Sequence, residues 1–196
     1  MSKLPLTGSS TVGPFFSIGL LTKDMVHPVL ASPETPGEHI RIEGRVLDGD
    51  GAPVIDALLE IWQANASGHY NHPAAQTTGT LDPDFSGYGR TGTAKDGSFW
   101  FETVKPGAVP FDDNTLQAPH LNLTIFSRGL LNHLATRLYF EDEAATATDP
   151  VLQLVPAERR ATLVARKDPK ATEEGKAVYR FDIIMQGEGE TAFFNL

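Results

Sequence analysis

Two imidazoles and a phenol fall within four residues at His69-Tyr70-Asn71-His72. Imidazole and phenolate are donors that a transition metal accepts, so this run is a candidate coordinating group. Its loop-like surroundings point at least as strongly to a surface or interface role. His120 and Asn122 stand two residues apart, which on a strand puts both side chains on one face. Two imidazoles at that spacing would grip one metal, but Asn122 offers only a neutral amide oxygen, a weak donor. His27, His39 and His133 stand alone and read as structural, His39 as a surface or capping group at a strand start. Trp62 and Trp100 read as core or sheet-face aromatics, Glu102 and Asp182 as solvent-facing strand positions. The run Gly187-Glu188-Gly189-Glu190 lacks the following helix that a phosphate cradle needs. Ser, His and Asp occur without a local signature of a hydrolytic triad. The absence of cysteine removes disulfides, thiolate catalysis and Cys-held zinc or iron–sulfur sites.

The elements that must position these groups are mostly strands. His120–Phe126 alternates cleanly, with His120, Asn122 and Thr124 on one face and Leu121, Leu123 and Ile125 on the other. Ile40, Ile42, Gly44 and Val46 alternate with polar residues before a turn at Asp48-Gly49-Asp50-Gly51. Further strands are predicted over Ala57–Gln63, Ser98–Val104, Ala135–Phe140 and Ala177–Met185. Lys95-Asp96-Gly97 gives a hairpin signal, and Lys105-Pro106-Gly107 ends the strand after it. Residues 65–92 form a long loop rich in Gly, Pro, His and Asn, a length that usually carries function or an interface. One helix is predicted over Ala157–Arg166, after Pro156, with Glu158 in its first turn and Arg166 in its last. Pro5, Pro14, Pro28, Pro33 and Pro36 interrupt regular structure over 1–37. The expected fold is therefore mainly β: an antiparallel β-sandwich over 38–196, with an extended N-terminal arm over 1–37 and one short helix.

A length of 196 residues suits one such domain with its arm. Against 16 Lys+Arg there are 25 Asp+Glu, and no basic run breaks the acidity. Nucleic acid and anionic membrane are therefore excluded as expected partners. No stretch approaches the ~18 apolar residues of a spanning helix, and Met-Ser-Lys-Leu-Pro-Leu-Thr-Gly has no apolar signal region. A cytoplasmic location is expected.

Several segments together resemble the intradiol ring-cleaving dioxygenase family. They are Leu58–Gly68, Gly87-Tyr88-Gly89-Arg90, Thr103–Gly107, Ala118-Pro119-His120, Arg137–Glu143, Tyr179–Ile183 and Gln186–Thr191, in consistent order. The likeness runs from about Ser10 onward. It implies a non-haem ferric site of two tyrosines and two histidines, whose positions fall here on Thr77, Val109, His120 and Asn122. Three of those four ligands are absent, so the resemblance implies an iron-free α-type subunit with no catalytic or metal residue of its own. Fe(III) would be bound by a homologous β subunit, in a higher-order αβ oligomer acting on protocatechuate and O2.

The resemblance also implies substrate-binding residues. Thr11, Gly13 and Pro14 match an arm lining the partner's pocket, and Arg128 matches an arginine near the substrate. A guanidinium suits an aromatic carboxylate, and Gly13 would let backbone approach the ring. A strand-end salt bridge is the competing reading of Arg128. Two other functions stay open at this point. One is a non-enzymatic β-sandwich binding module for a small aromatic or a partner protein. The other is an enzyme with relocated ligands at His69, Tyr70, His72 and His120.

Overall fold

The computed structural model describes residues 10–75 and 84–195. In chain order its strands begin with β1 (His39–Leu47), β2 (Leu58–Gln63), β3 (Tyr88–Gly92) and β4 (Ser98–Val104). Then come β5 (Val109–Pro110), β6 (Leu116–Gln117), β7 (His120–Phe126) and β8 (Leu134–Phe140). The last three are β9 (Val164–Glu173), β10 (Lys176–Arg180) and β11 (Ile183–Ile184). Strands form where apolar residues alternate, because burying every second side chain against a common core fixes the register. Leu121, Leu123 and Ile125 of β7 face that core together with Ile40 and Ile42 of β1 and Phe99 and Phe101 of β4.

The principal sheet is mixed, where an antiparallel one was expected. Its strands run in the order β11-β1-β10-β9-β8-β7-β2-β3, with β4 on the other side of β1. β1 lies parallel to β10 and β11, and β8 lies parallel to β9. Parallel neighbours need a long crossover rather than a hairpin. Residues 141–163 supply one between β8 and β9, through 3-10 turns at Ala144–Thr148, Leu152–Leu154 and Ala157–Leu163. The last of these replaces the predicted helix over 157–166. It stops at Leu163 because Val164 already enters β9, which also takes Arg166. Among the described residues the α-helix is a short one in the arm, α1 (Phe16–Leu20). No helix among them is long and apolar enough to cross a membrane.

The predicted strand over 177–185 divides at Phe181-Asp182. There the Phe181 carbonyl packs so close to Gly44 of β1 that a Cβ would overlap it.

Residues 27–30 of the arm complete the circuit between β3 and β4. His27 and Arg90 exchange both backbone hydrogen bonds, at 2.8 and 3.1 Å. The Leu30 N–H donates to the Glu102 carbonyl and the Glu102 N–H to the Pro28 carbonyl, each at 2.8 Å. Gly89 of β3 makes room for this: a Cβ there would come within 2.6 Å of the Leu30 side chain. The result is a barrel-like ring of strands around one core. A second buried cluster, Ala118, Tyr139, Leu152, Val155, Leu163 and Ala192, lies where the crossover covers β8.

Candidate functional site

The candidate residues sort to the two ends of β7. At its start His120 is 97 % buried by its neighbours, with only 3 % exposed. Its Nδ1 lies 2.7 Å from the Ala118 carbonyl, so Nδ1–H donates there and Nε2 keeps its lone pair. That lone pair faces the Tyr70 hydroxyl at 3.4 Å, and the Tyr70 oxygen in turn accepts from Asn122 Nδ2 at 3.4 Å. Asn122 Nδ2 also donates to the Trp62 carbonyl at 3.3 Å. The Tyr70 ring stacks on Trp62, with centroids 5.9 Å apart and 13° between planes.

Beneath this cluster Asp149, 1 % exposed, accepts from the Ala118 N–H, the Tyr139 hydroxyl and the N–H groups of Val151 and Leu152. Four donors satisfy a buried carboxylate that would otherwise be costly. Burial and the Arg137 charge push the His120 pKa down to about 4, against the opposing pull of the Ala118 carbonyl and Asp149. Burial raises the Tyr70 and Tyr139 hydroxyls above the usual phenol range.

Of the four groups His69, Tyr70, His72 and His120, only Tyr70 and His120 meet. His72 caps its own loop turn, accepting the Ala74 N–H at Nδ1, and His69 Nδ1 is buried without a partner among the described residues.

Beyond the other end of β7, roughly 20 Å away at ~3.3 Å per residue, lies Arg128. Its Nε is 2.6 Å from Asp56 Oδ2, so the salt-bridge reading of this arginine is observed. Thr11 Oγ1 accepts the Gly129 N–H at 3.1 Å, which ties the arm to the loop after Arg128. Gly129 has φ +89°, the left-handed region that glycine adopts without strain. Gly13 and Pro14 follow on the arm and are exposed, and the Phe16 N–H closes a turn onto the Gly13 carbonyl at 3.0 Å. A Cβ at Gly13 would touch nothing within this chain. Between arm and loop lies a cavity of about 430 Å³ lined by residues including Val12, Phe126, Leu131, His133 and Phe194.

A family model described as dioxygenase matches residues 12–187. The chain is 46 % identical to the protocatechuate 3,4-dioxygenase alpha chain of Burkholderia cepacia over 206 aligned residues, covering 100 % of both chains. It is 37 % identical to the beta chain from the same organism, over 95 % of this chain and 78 % of that one. Among solved structures, the dioxygenase domain of a carbohydrate-binding fusion protein from Streptomyces sp. SirexAA-E superposes with TM-score 0.63 at 25 % identity, over 83 % and 88 % of the chains.

This chain belongs to the intradiol dioxygenase family.

Intradiol dioxygenases depend on iron, and the residues at the start of β7 do not fit that ion. Val109 is a buried hydrocarbon, 3 % exposed. Asn122 is a neutral amide already donating at Nδ2, and the His120 lone pair is met by the Tyr70 hydroxyl. Thr77 lies outside the described residues. Among those described, no group of three or more His, Cys, Asp or Glu side chains is placed to hold a metal.

Sequence reasoning missed Asp56 and Asp149, since an aspartate in a turn carries no pattern that marks its partner. It also misplaced Glu102. Expected at a solvent-facing position, its side chain is 14 % exposed and accepts from Arg41 and Lys176, because β1 and the β10 side flank it with cations.

Proposed function

We propose that this chain is the iron-free α-type subunit of a protocatechuate 3,4-dioxygenase. The full-length likeness to a chain of that name carries the reading. The oxygen chemistry is assigned to Fe(III) held by a homologous β subunit in a higher-order αβ oligomer of the cytoplasm. In the reaction O2 is consumed and the ring bond between the two hydroxylated carbons breaks. Both oxygen atoms enter the product, 3-carboxy-cis,cis-muconate, as parts of two new carboxylates.

The contribution of this chain is to bind, orient and exclude water. The leading part of the arm, residues 10–20, packs on the partner, where Thr11, Gly13 and Pro14 line the substrate pocket, while residues 27–30 stay in this chain's own strand ring. Arg128 faces the ring carboxylate. Phe15 and Ile18 on the arm are 75 % and 70 % exposed, a surface that a partner would cover. The layering of the strand ring as a sandwich of two faces belongs to the same reading.

The test is expression of this chain alone and together with the β chain of its own genome, followed by metal analysis and O2 uptake with protocatechuate. Iron and O2 uptake are expected in the pair only. Stoichiometric iron with ring cleavage in the isolated chain overturns the proposal.

A further inference from the structure

Asp56 and Arg128 belong to separate segments that are each fixed by hydrogen bonds. Around Asp56, Thr93 Oγ1 donates to the Val54 carbonyl at 2.7 Å and accepts the Ala57 N–H at 3.0 Å. The carboxylate therefore projects from a backbone held on both sides. Around Arg128, the Thr11–Gly129 hydrogen bond holds the following residue. The 2.6 Å contact between Asp56 Oδ2 and Arg128 Nε joins the two segments. The Asp56 side chain is 25 % exposed and that of Arg128 56 % exposed. Among the described residues, no hydrogen bond engages Arg128 Nη1 or Nη2. A guanidinium presents two forks to an anion, one of which uses Nε and the other only the terminal nitrogens. Asp56 Oδ2 lies against Nε as a close ion-pair contact rather than an in-line hydrogen bond, and Asp48 and Asp50 line the same groove. An arriving carboxylate is left the terminal fork.

We infer that Asp56 is a positioning residue that fixes the guanidinium of Arg128 so that its terminal nitrogens receive the carboxylate of the aromatic substrate. This rests on the substrate-facing reading of Arg128 given above. Asp56 does not touch substrate. It limits the rotamers of a long side chain, so that less freedom is lost when the anion binds.

The experiment uses the αβ holoenzyme, with protocatechuate and with 4-methylcatechol, which lacks the charge. Asp56→Asn removes the ion pair at constant shape. It should raise KM for protocatechuate on the order of 10-fold with kcat held within about 2-fold, the signature of lost binding. Kinetics with 4-methylcatechol and iron content should not change, and Asp56→Glu should restore most of the KM. A lowered KM in Asp56→Asn would mean that the aspartate competes with the substrate, and it overturns the inference. So does an equal loss with both catechols, which marks a merely structural residue. Arg128→Ala separates the two levels. If it leaves the preference for the carboxylated ring intact, the reading of Arg128 fails and the role of Asp56 with it. If Arg128→Ala abolishes that preference while Asp56→Asn changes nothing, only the role of Asp56 fails.

Discussion

The two ends of β7 treat polar groups in opposite ways. At the His120 end, the imidazole, the Tyr70 hydroxyl, the Asn122 amide and the Asp149 carboxylate all meet partners within the chain. At the Arg128 end one ion pair and one hydrogen bond hold the backbone and side chain, and the guanidinium edge and the arm face outward. The difference teaches that His120 and Asn122, ligand positions by the resemblance, are not neutral ground. Their polar atoms meet neighbours within the chain and serve packing, while the exposed groups of this strand sit at its rim. Buried polar networks are costly to disturb by halves, whereas an exposed pair contributes little to stability.

The largest effect that would break this contrast is at the buried end. Asp149→Ala leaves four donors without an acceptor, and it should lower the unfolding free energy by about 3–5 kcal/mol in urea titration. A loss below about 1 kcal/mol would mean that the cluster is wet and loosely held.

The second effect is a pH dependence. His120 has a folded pKa of about 4, below the ~6.5 of an unfolded histidine. The unfolded chain therefore takes up the proton first, and stability falls as pH drops from about 6.5 to about 4, by on the order of 3 kcal/mol in all. Groups in its electrostatic reach are the Arg137 charge, which favours the neutral ring, and Asp149, which opposes it. Denaturant midpoints measured across that window should slope in the native chain and flatten in His120→Gln. Equal slopes in the two proteins would remove His120 as the cause.

The smallest effect is at the rim. Arg128→Ala should change stability by no more than about 0.5 kcal/mol, since its side chain is 56 % exposed. A loss above about 1.5 kcal/mol would make the rim as structural as the buried end, and the contrast would collapse.

Strands with regular alternation were legible in the sequence. Ser98–Val104 and His120–Phe126 are strands over the predicted residues, because one side of each faces a common core. β3 was hidden inside the predicted loop over 65–92. Two of its five residues are glycines, and Gly89 is there to admit the Leu30 side chain rather than to fill a core. β9 was hidden for a different reason: Lys167-Asp168-Pro169-Lys170 has the composition of a loop, and residues 168–171 do bulge out of register, with Arg166-Lys167 and Thr172-Glu173 on either side paired to β10. Parallel pairing is a property of distant segments and leaves no local trace. At the site, His120 and Asn122 were placed correctly on one strand, but Tyr70 as their shared partner depends on a fold that brings residues 50 and 52 positions apart together. Arg128 was marked by resemblance, and its tie to Asp56 was not visible until β2 and the loop after β7 were placed side by side.

The insertion of residues 27–30 between β3 and β4 also sets an order of events for folding. That short segment leaves the ribosome well before its two neighbours, residues 88–92 and 98–104, and it has no template to pair with until both exist. Its docking is a closure of long sequence separation, slow by nature compared with hairpin formation. In the interval β3 and β4 each present an open edge, the kind of surface on which chains associate wrongly. The same arm that carries Thr11 and Gly13 thus serves as a late-fitting seal, and deletions that reach residues 27–30 should be felt first as aggregation during synthesis.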